Sequence, residues 1–184
     1  LFSMLVSSGL KGSGDYGVIG LGIYNGQTAN NLELNNEPHL VARISYPFTF
    51  KKQIIEAGIQ GYHGKFVIPD ANLSKGVKYT PDLNYTDQRV AASFILYPKP
   101  MGIQAEYNIG KGPEFNKLTD SIEVQSLKGG YITLNYMAKF KKQIILPFTR
   151  FQYYDGGKKH EKDARSYKVN ELEVGVEWQP LKEF

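Results

Sequence analysis

Between Met101 and Ile109 the chain places Met, Ile, Ala, Tyr and Ile at odd positions and Gly, Gln, Glu and Asn at even ones. Strict alternation of this kind puts apolar side chains on one face of a β-strand and polar ones on the other. The same rhythm runs through residues 40–48, 55–61, 90–96, 132–138 and 172–178. Residues 143–154 are less regular, because Ile144, Leu146 and Phe148 add apolar groups to the second face. Residues 1–9 and 16–25 are strand-like, but their glycines and serines leave the facing open. The pattern predicts nine strands, with residues 182–184 opening a tenth, and little helix.

The connections alternate in length. Short turns are predicted near residues 10–15, 48–52, 98–100, 139–142 and 179–182; longer polar loops are predicted near 26–37, 64–87, 110–129 and 155–165. One repeat is literal: Phe50-Lys-Lys-Gln-Ile-Ile55 recurs as Phe140-Lys-Lys-Gln-Ile-Ile145. Short connections at one end and long ones at the other describe an antiparallel up-and-down meander, the asymmetry of transmembrane β-barrels. Within the alternating windows the apolar parity carries no charge. On that parity Tyr46, Phe48, Tyr136 and Trp178 lie near the turn ends, and Tyr107 and Tyr153 near the loop ends. Two interfacial aromatic girdles have this arrangement. Tyr62, Tyr97, Tyr131 and Tyr167 fall on the opposite parity and do not fit it. A soluble β-sandwich also alternates, so periodicity alone leaves both architectures open.

Composition narrows the chemistry. A length of 184 residues fits one or two domains. The formal charge of +4 is spread along the chain rather than blocked, which gives no signal for nucleic acid. There is no cysteine, so disulfides, thiolate metal sites and cysteine nucleophiles are excluded together. No apolar run approaches the roughly 18 residues of a membrane-spanning helix. Glycine (19) and tyrosine (13) are abundant, as long strands favour aromatics. His39, His63 and His160 are widely spaced, with no metal-ligand spacing among them. Glu171 and Glu173 share a strand face, but any Glu-x-Glu strand does. Gly110-Lys-Gly-Pro113 lacks the ending of a phosphate-binding loop. The expectation is therefore no enzyme, no metal and no cofactor.

Four stretches carry a resemblance: Gly22-Ile-Tyr-Asn-Gly26, Pro38-His-Leu-Val-Ala-Arg-Ile-Ser-Tyr-Pro-Phe48, Gln152-Tyr-Tyr-Asp-Gly-Gly-Lys-Lys159 and Glu173-Val-Gly-Val-Glu-Trp-Gln-Pro180. With them the chain resembles the phosphate-selective porin O and P family of outer-membrane β-barrels, in the form found in Bacteroidetes-type bacteria. The resemblance implies an all-β transmembrane barrel of about sixteen strands, a homotrimer or larger outer-membrane complex, and passive uptake of anions such as phosphate. On that expectation residues 1–184 form a single barrel domain, about half of the wall, with further strands before residue 1 and after residue 184.

If the apolar parity meets lipid, the other parity lines the water-filled lumen and sets selectivity. It carries Arg43 with Ser45, Arg89 with Ser93, and Arg150 with Gln152. Guanidinium stays charged at neutral pH and donates in a fork that suits phosphate oxygens. These residues are the expected anion contacts. The same parity also carries Glu56, Glu106, Glu171, Glu173 and Glu177, which either pair with the arginines across the wall or argue against anion selectivity. The loop near 155–165 holds Lys158, Lys159, Lys162 and Arg165 against Asp155, Glu161 and Asp163. It reads as an electrostatic funnel, or as a solvated loop that meets lipopolysaccharide phosphates. The Lys51-Lys52 and Lys141-Lys142 pairs read as charges that keep hairpin tips wet. Two further readings remain: a soluble carbohydrate-binding module with aromatic platforms, and a non-conducting barrel that scaffolds a larger outer-membrane assembly.

Overall fold

A computed structural model describes residues 17–27 and 32–180, together with Ser7. The strands expected at 1–9 and 182–184 lie outside the described residues, Ser7 apart. The chain forms one antiparallel sheet of nine strands. They are β1 (Val18–Tyr24), β2 (His39–Phe50), β3 (Gln53–Val67), β4 (Asn84–Leu96), β5 (Met101–Asn116), β6 (Ser121–Tyr136), β7 (Ala138–Phe140), β8 (Gln143–Gly157) and β9 (Ser166–Gln179). Each pairs with its neighbour in sequence, except that β6 and β7 both lie against β8. Among the described residues the sheet is open, with β1 bonded only to β2 and β9 only to β8. Within 17–27 and 32–180 the helical turns are limited to Asp70–Asn72 and Lys162–Ala164. Among the described residues no helix is long and apolar enough to cross a membrane.

Strands β6 and β7 are one line of chain. The pairs Asn135↔Phe148 and Ala138↔Ile145 share a single register, and only the ladder between them is missing. Pro147 lies in that gap on β8. It has no N–H to give, though its register with β9 runs on through Pro147↔Val176. Met137 turns its own N–H to the Pro100 carbonyl instead, at 2.7 Å. The nine strands therefore make eight staves.

Every alternating window found in the described residues lies within one of these staves. The difference is at the long-loop end, where the strands are longer than alternation suggests. The loop expected near 110–129 is mostly ladder: β5 and β6 stay paired from Met101↔Tyr136 out to Asn116↔Ser121. The loops near 64–87 and 155–165 also shrink, because β3, β4 and β8 extend into them. In these extensions backbone pairing continues while the apolar exterior ends, and Phe66, Tyr85 and Ile122 turn instead to a small buried cluster.

The register joins the apolar parities into one continuous face. Ile23↔Leu40, Ile44↔Ile59, Ala57↔Phe94, Ala92↔Tyr107, Ala105↔Ile132, Ile132↔Phe151 and Phe151↔Leu172 run across it. This face is bare: Leu21 is 87% exposed, Ile59 53% and Val174 77%. The buried apolar residues lie elsewhere. Phe66, Ile68, Tyr85, Ile122 and Ala164 form a small cluster at the long-loop end, joined by Leu73, Val77 and Phe115. Ile54 and Tyr97 form a smaller one at the short-turn end. The sheet has no second layer; it spends its apolar surface outward.

Candidate functional site: the polar face of the wall

On the opposite face the register sets Arg43 beside Gln60, Arg89 between Tyr62 and Gly110, and Arg150 between Thr133 and Glu173. All three arginines thus share the polar face, together with Ser45, Ser93 and Gln152. They do not form one row. Arg43 and Arg89 border a common hollow of about 400 Å³, lined also by Gln60, Tyr62, Glu106 and Asn108. Gly110 makes room there: a Cβ at that position would stand 2.8 Å from the Arg89 Cγ and 2.2 Å from the Gln88 carbonyl oxygen. Among the described residues neither Arg43 nor Arg89 forms an ion pair.

Arg150 is held differently. Its Nε donates to Thr133 Oγ1 at 2.9 Å, and its Nη1 reaches Glu173 Oε2 at 3.5 Å. Its guanidinium also sits 5.4 Å from the centre of the Tyr131 ring, within cation–π range. The acids on this face are engaged by their neighbours. Glu56 accepts from Ser45 at 2.9 Å and from Tyr97 at 2.7 Å, Glu106 accepts from Gln60 at 3.1 Å, Glu171 from Gln152, and Glu177 from Gln179. Ser93 lies across from Gly58, and its Oγ would meet a Cβ there at 2.7 Å.

The four tyrosines that miss the girdles have their explanation here. Tyr62 donates to Asp87 at 3.0 Å, Tyr97 to Glu56, Tyr167 to Glu161, and Tyr131 lies under Arg150. A phenol on the polar side brings a hydroxyl to a carboxylate or a ring face to a cation. Of the girdle residues, Tyr46, Phe48, Tyr107, Tyr136 and Trp178 are exposed on the apolar face, whereas Tyr153 is half-buried and donates its hydroxyl to Asp155 at 3.0 Å.

Sequence reasoning missed the most buried charge of the molecule. Asp87 on β4 is fully buried, and Lys159 reaches it from the β8–β9 loop with its side chain only 15% exposed. The Lys159 ammonium also lies 4.7 Å from the Phe66 ring centre and 5.8 Å from that of Tyr62. Tyr62, Phe66 and Asp87 all belong to the polar parity, so the loop crosses on the polar side of the wall. Asp163 fixes it further, accepting from both the N–H and the hydroxyl of Ser74 at 2.6 Å. Asn72 donates to the His160 carbonyl at 3.4 Å. The signal for Asp87 was a lone acid two residues before Arg89 on a polar strand face, which does not reveal a partner 72 residues away.

The rest of the basic loop is mixed. Lys158 pairs with Glu161 at 3.4 Å and lies 3.8 Å over the Tyr167 ring. The Tyr167 hydroxyl and then Lys158 hold the Glu161 carboxyl below its ordinary range. Lys162 and Arg165 are exposed. The histidines stand apart: His39 packs between Tyr24 and Tyr62, His63 meets Gln88 at 2.8 Å, and His160 stands edge-on to Phe66.

An open sheet with an unbroken apolar exterior and arginines on its polar side has the build of a membrane-spanning wall. The family model for phosphate-selective porin O and P matches residues 1–184, the whole chain. The chain belongs to that porin family. Neither the curated proteins nor the solved structures hold a significant match to it. In an outer-membrane barrel one face of the wall meets lipid and the other the lumen. Porins are channels rather than enzymes, and the family implies the bacterial outer membrane.

Proposed function

We propose that the chain forms part of the wall of a porin through which small hydrophilic solutes, phosphate-like anions among them, diffuse down their gradients. Arg43 and Arg89 are the contacts that count. They share one hollow, with Glu106 also on its lining, and neither guanidinium forms an ion pair among the described residues; that observation carries the reading. A passing anion exchanges part of its hydration for these two guanidinium forks, with Gln60 and Asn108 as neutral partners beside them. Ser45, Ser93, Arg150 and Gln152 line the same path. Arg150 and Gln152 hold the wall more than they meet the solute, since each is bonded to an acid of β9.

The long-loop end faces the outside, and the β8–β9 loop narrows the mouth by crossing on the lumen side to Asp87. Both edge strands keep an unpaired side among the described residues, and a closed barrel leaves no such edge. Single-channel recording of the complete protein across a salt gradient tests the reading. The expected reversal potential favours anions. A potential favouring cations overturns the anion reading. Intact insertion without conductance overturns the channel and leaves a scaffolding barrel, a reading that the inward loop favours.

A further inference from the structure

The two ends of the wall differ in how their charges are arranged. At the long-loop end cations are interleaved with acids, as in Lys65–Glu37, Lys158–Glu161 and Lys159–Asp87. At the short-turn end the described residues present Lys51, Lys52, Lys99, Lys139, Lys141 and Lys142. Glu177 is the acid nearest the tip of β9; it lies on the lumen parity and accepts from Gln179. None of these lysines forms an ion pair among the described residues. All but Lys99 are exposed.

The repeated hairpin tips have the same build. Each closes as a tight turn, Phe50 against Gln53 and Phe140 against Gln143. In each the first lysine has φ of 54°. The Lys51 ammonium stands 5.7 Å from the Phe50 ring centre, and that of Lys141 stands 5.6 Å from Phe140. Both rings lie on the lipid parity and are more than half exposed. A phenylalanine at the edge of the apolar band with an ammonium above it puts positive charge at headgroup depth, on the lipid side of the wall. Trp178 shares that edge, donating to Gln143 at 3.2 Å beside the second tip.

We infer that the two Phe-Lys-Lys-Gln tips bind phospholipids of net negative headgroup, such as phosphatidylglycerol, in the leaflet that surrounds the short-turn rim. The inference rests on the membrane-spanning reading above. Unpaired lysines answer the phosphate, and the phenylalanine rings answer the first methylenes of the acyl chains. A lysine near an anionic membrane surface contributes an enrichment of roughly five-fold. The pairing weakens as salt screens it.

Trp178 stands beside the second tip and reports on it once any other tryptophan of the complete protein is replaced by phenylalanine. The complete protein is placed in vesicles of one fixed phosphatidylglycerol and phosphatidylethanolamine composition, with bromine carried on one lipid class or the other. Brominated phosphatidylglycerol is expected to quench Trp178 several-fold more than brominated phosphatidylethanolamine at equal mole fraction. K141Q/K142Q removes that difference, whereas K51Q/K52Q at the distant tip leaves it. Equal quenching by both lipids in the unaltered protein overturns the inference while membrane insertion stands. Quenching by neither lipid overturns the membrane reading itself.

Discussion

The polar face of the wall uses the same residue types in two ways. Along β2–β5, Arg43 faces Gln60, and Arg89 faces Tyr62 and Gly110. Along β8–β9, Arg150 faces Glu173 and Gln152 faces Glu171. One stretch leaves its guanidinium groups without ion pairs, Glu106 in the same hollow being bonded to Gln60; the other cancels its charges within the wall. Nothing in the type of side chain makes that difference. Which residue lies directly across the ladder decides it, because paired positions stand within reach of each other. The Lys159–Asp87 pair then ties the two stretches together, since Lys159 follows β8 and Asp87 lies on β4.

Breaking that tie has the largest expected effect. Asp87→Asn leaves a mostly buried ammonium without its counter-charge, a loss of about 3–5 kcal/mol. Limited proteolysis is expected to cut the segment 158–165 in the variant and spare it in the unaltered protein. Adding Lys159→Met restores resistance; if the double variant is cut as fast as the single one, the pair does not hold the loop.

The comparison itself is tested by selectivity. Arg43→Gln with Arg89→Gln is expected to lower the anion-to-cation permeability ratio on the order of ten-fold, as field focusing in a narrow polar cleft allows. Arg150→Gln is expected to change that ratio by less than half as much. Equal shifts would mean that pairing with Glu173 does not shield Arg150 from the solute.

A smaller effect measures the pairing directly. A double-mutant cycle on Arg150 and Glu173 is expected to give a coupling of about 0.2–1 kcal/mol in thermal unfolding, because both side chains are partly exposed. The same cycle on Arg89 and Glu106 is expected to give none.

The smallest effect lies outside both stretches, at the β5–β6 tip. Hydrogen bonds from Ser121, Thr119 and Asn116 hold the Glu123 carboxyl down to about 2. A depressed carboxylate adds stability above its unfolded value near 4.5, and that stability is lost as pH falls toward 2. Protection of the amides at residues 117–123, relative to an unstructured peptide at the same pH, is expected to fall between pH 4.5 and 2, and Glu123→Gln is expected to flatten that dependence.

Much of this was legible beforehand, for a physical reason. A wall one sheet thick has no other layer to confuse its pattern, so each inward or outward position is written in the local alternation. That is why Arg43, Arg89 and Arg150 were assignable to one face from the chain alone. Their neighbours were not. Pairing Arg150 with Glu173 needs the register of β8 against β9, which alternation does not supply. The long ribbons failed for a related cause: past Ile109 the side chains no longer record which face is wet. Asp87 and Lys159 lie far apart in the chain, and each looks like an ordinary surface charge until the loop is folded.

The length of the β5–β6 ribbon has a consequence for whatever approaches from outside. Residues 110–116 add about 24 Å of strand beyond the apolar band, and the partner strand matches them residue for residue. An antibody or a phage arriving there meets a ladder held by its own backbone rather than a slack loop. Its epitope is a surface of alternate side chains, of which Phe115 and Ile122 are committed to the buried cluster below. For the same reason the turn at residues 117–120 is the natural place to graft a foreign peptide for display on the cell surface.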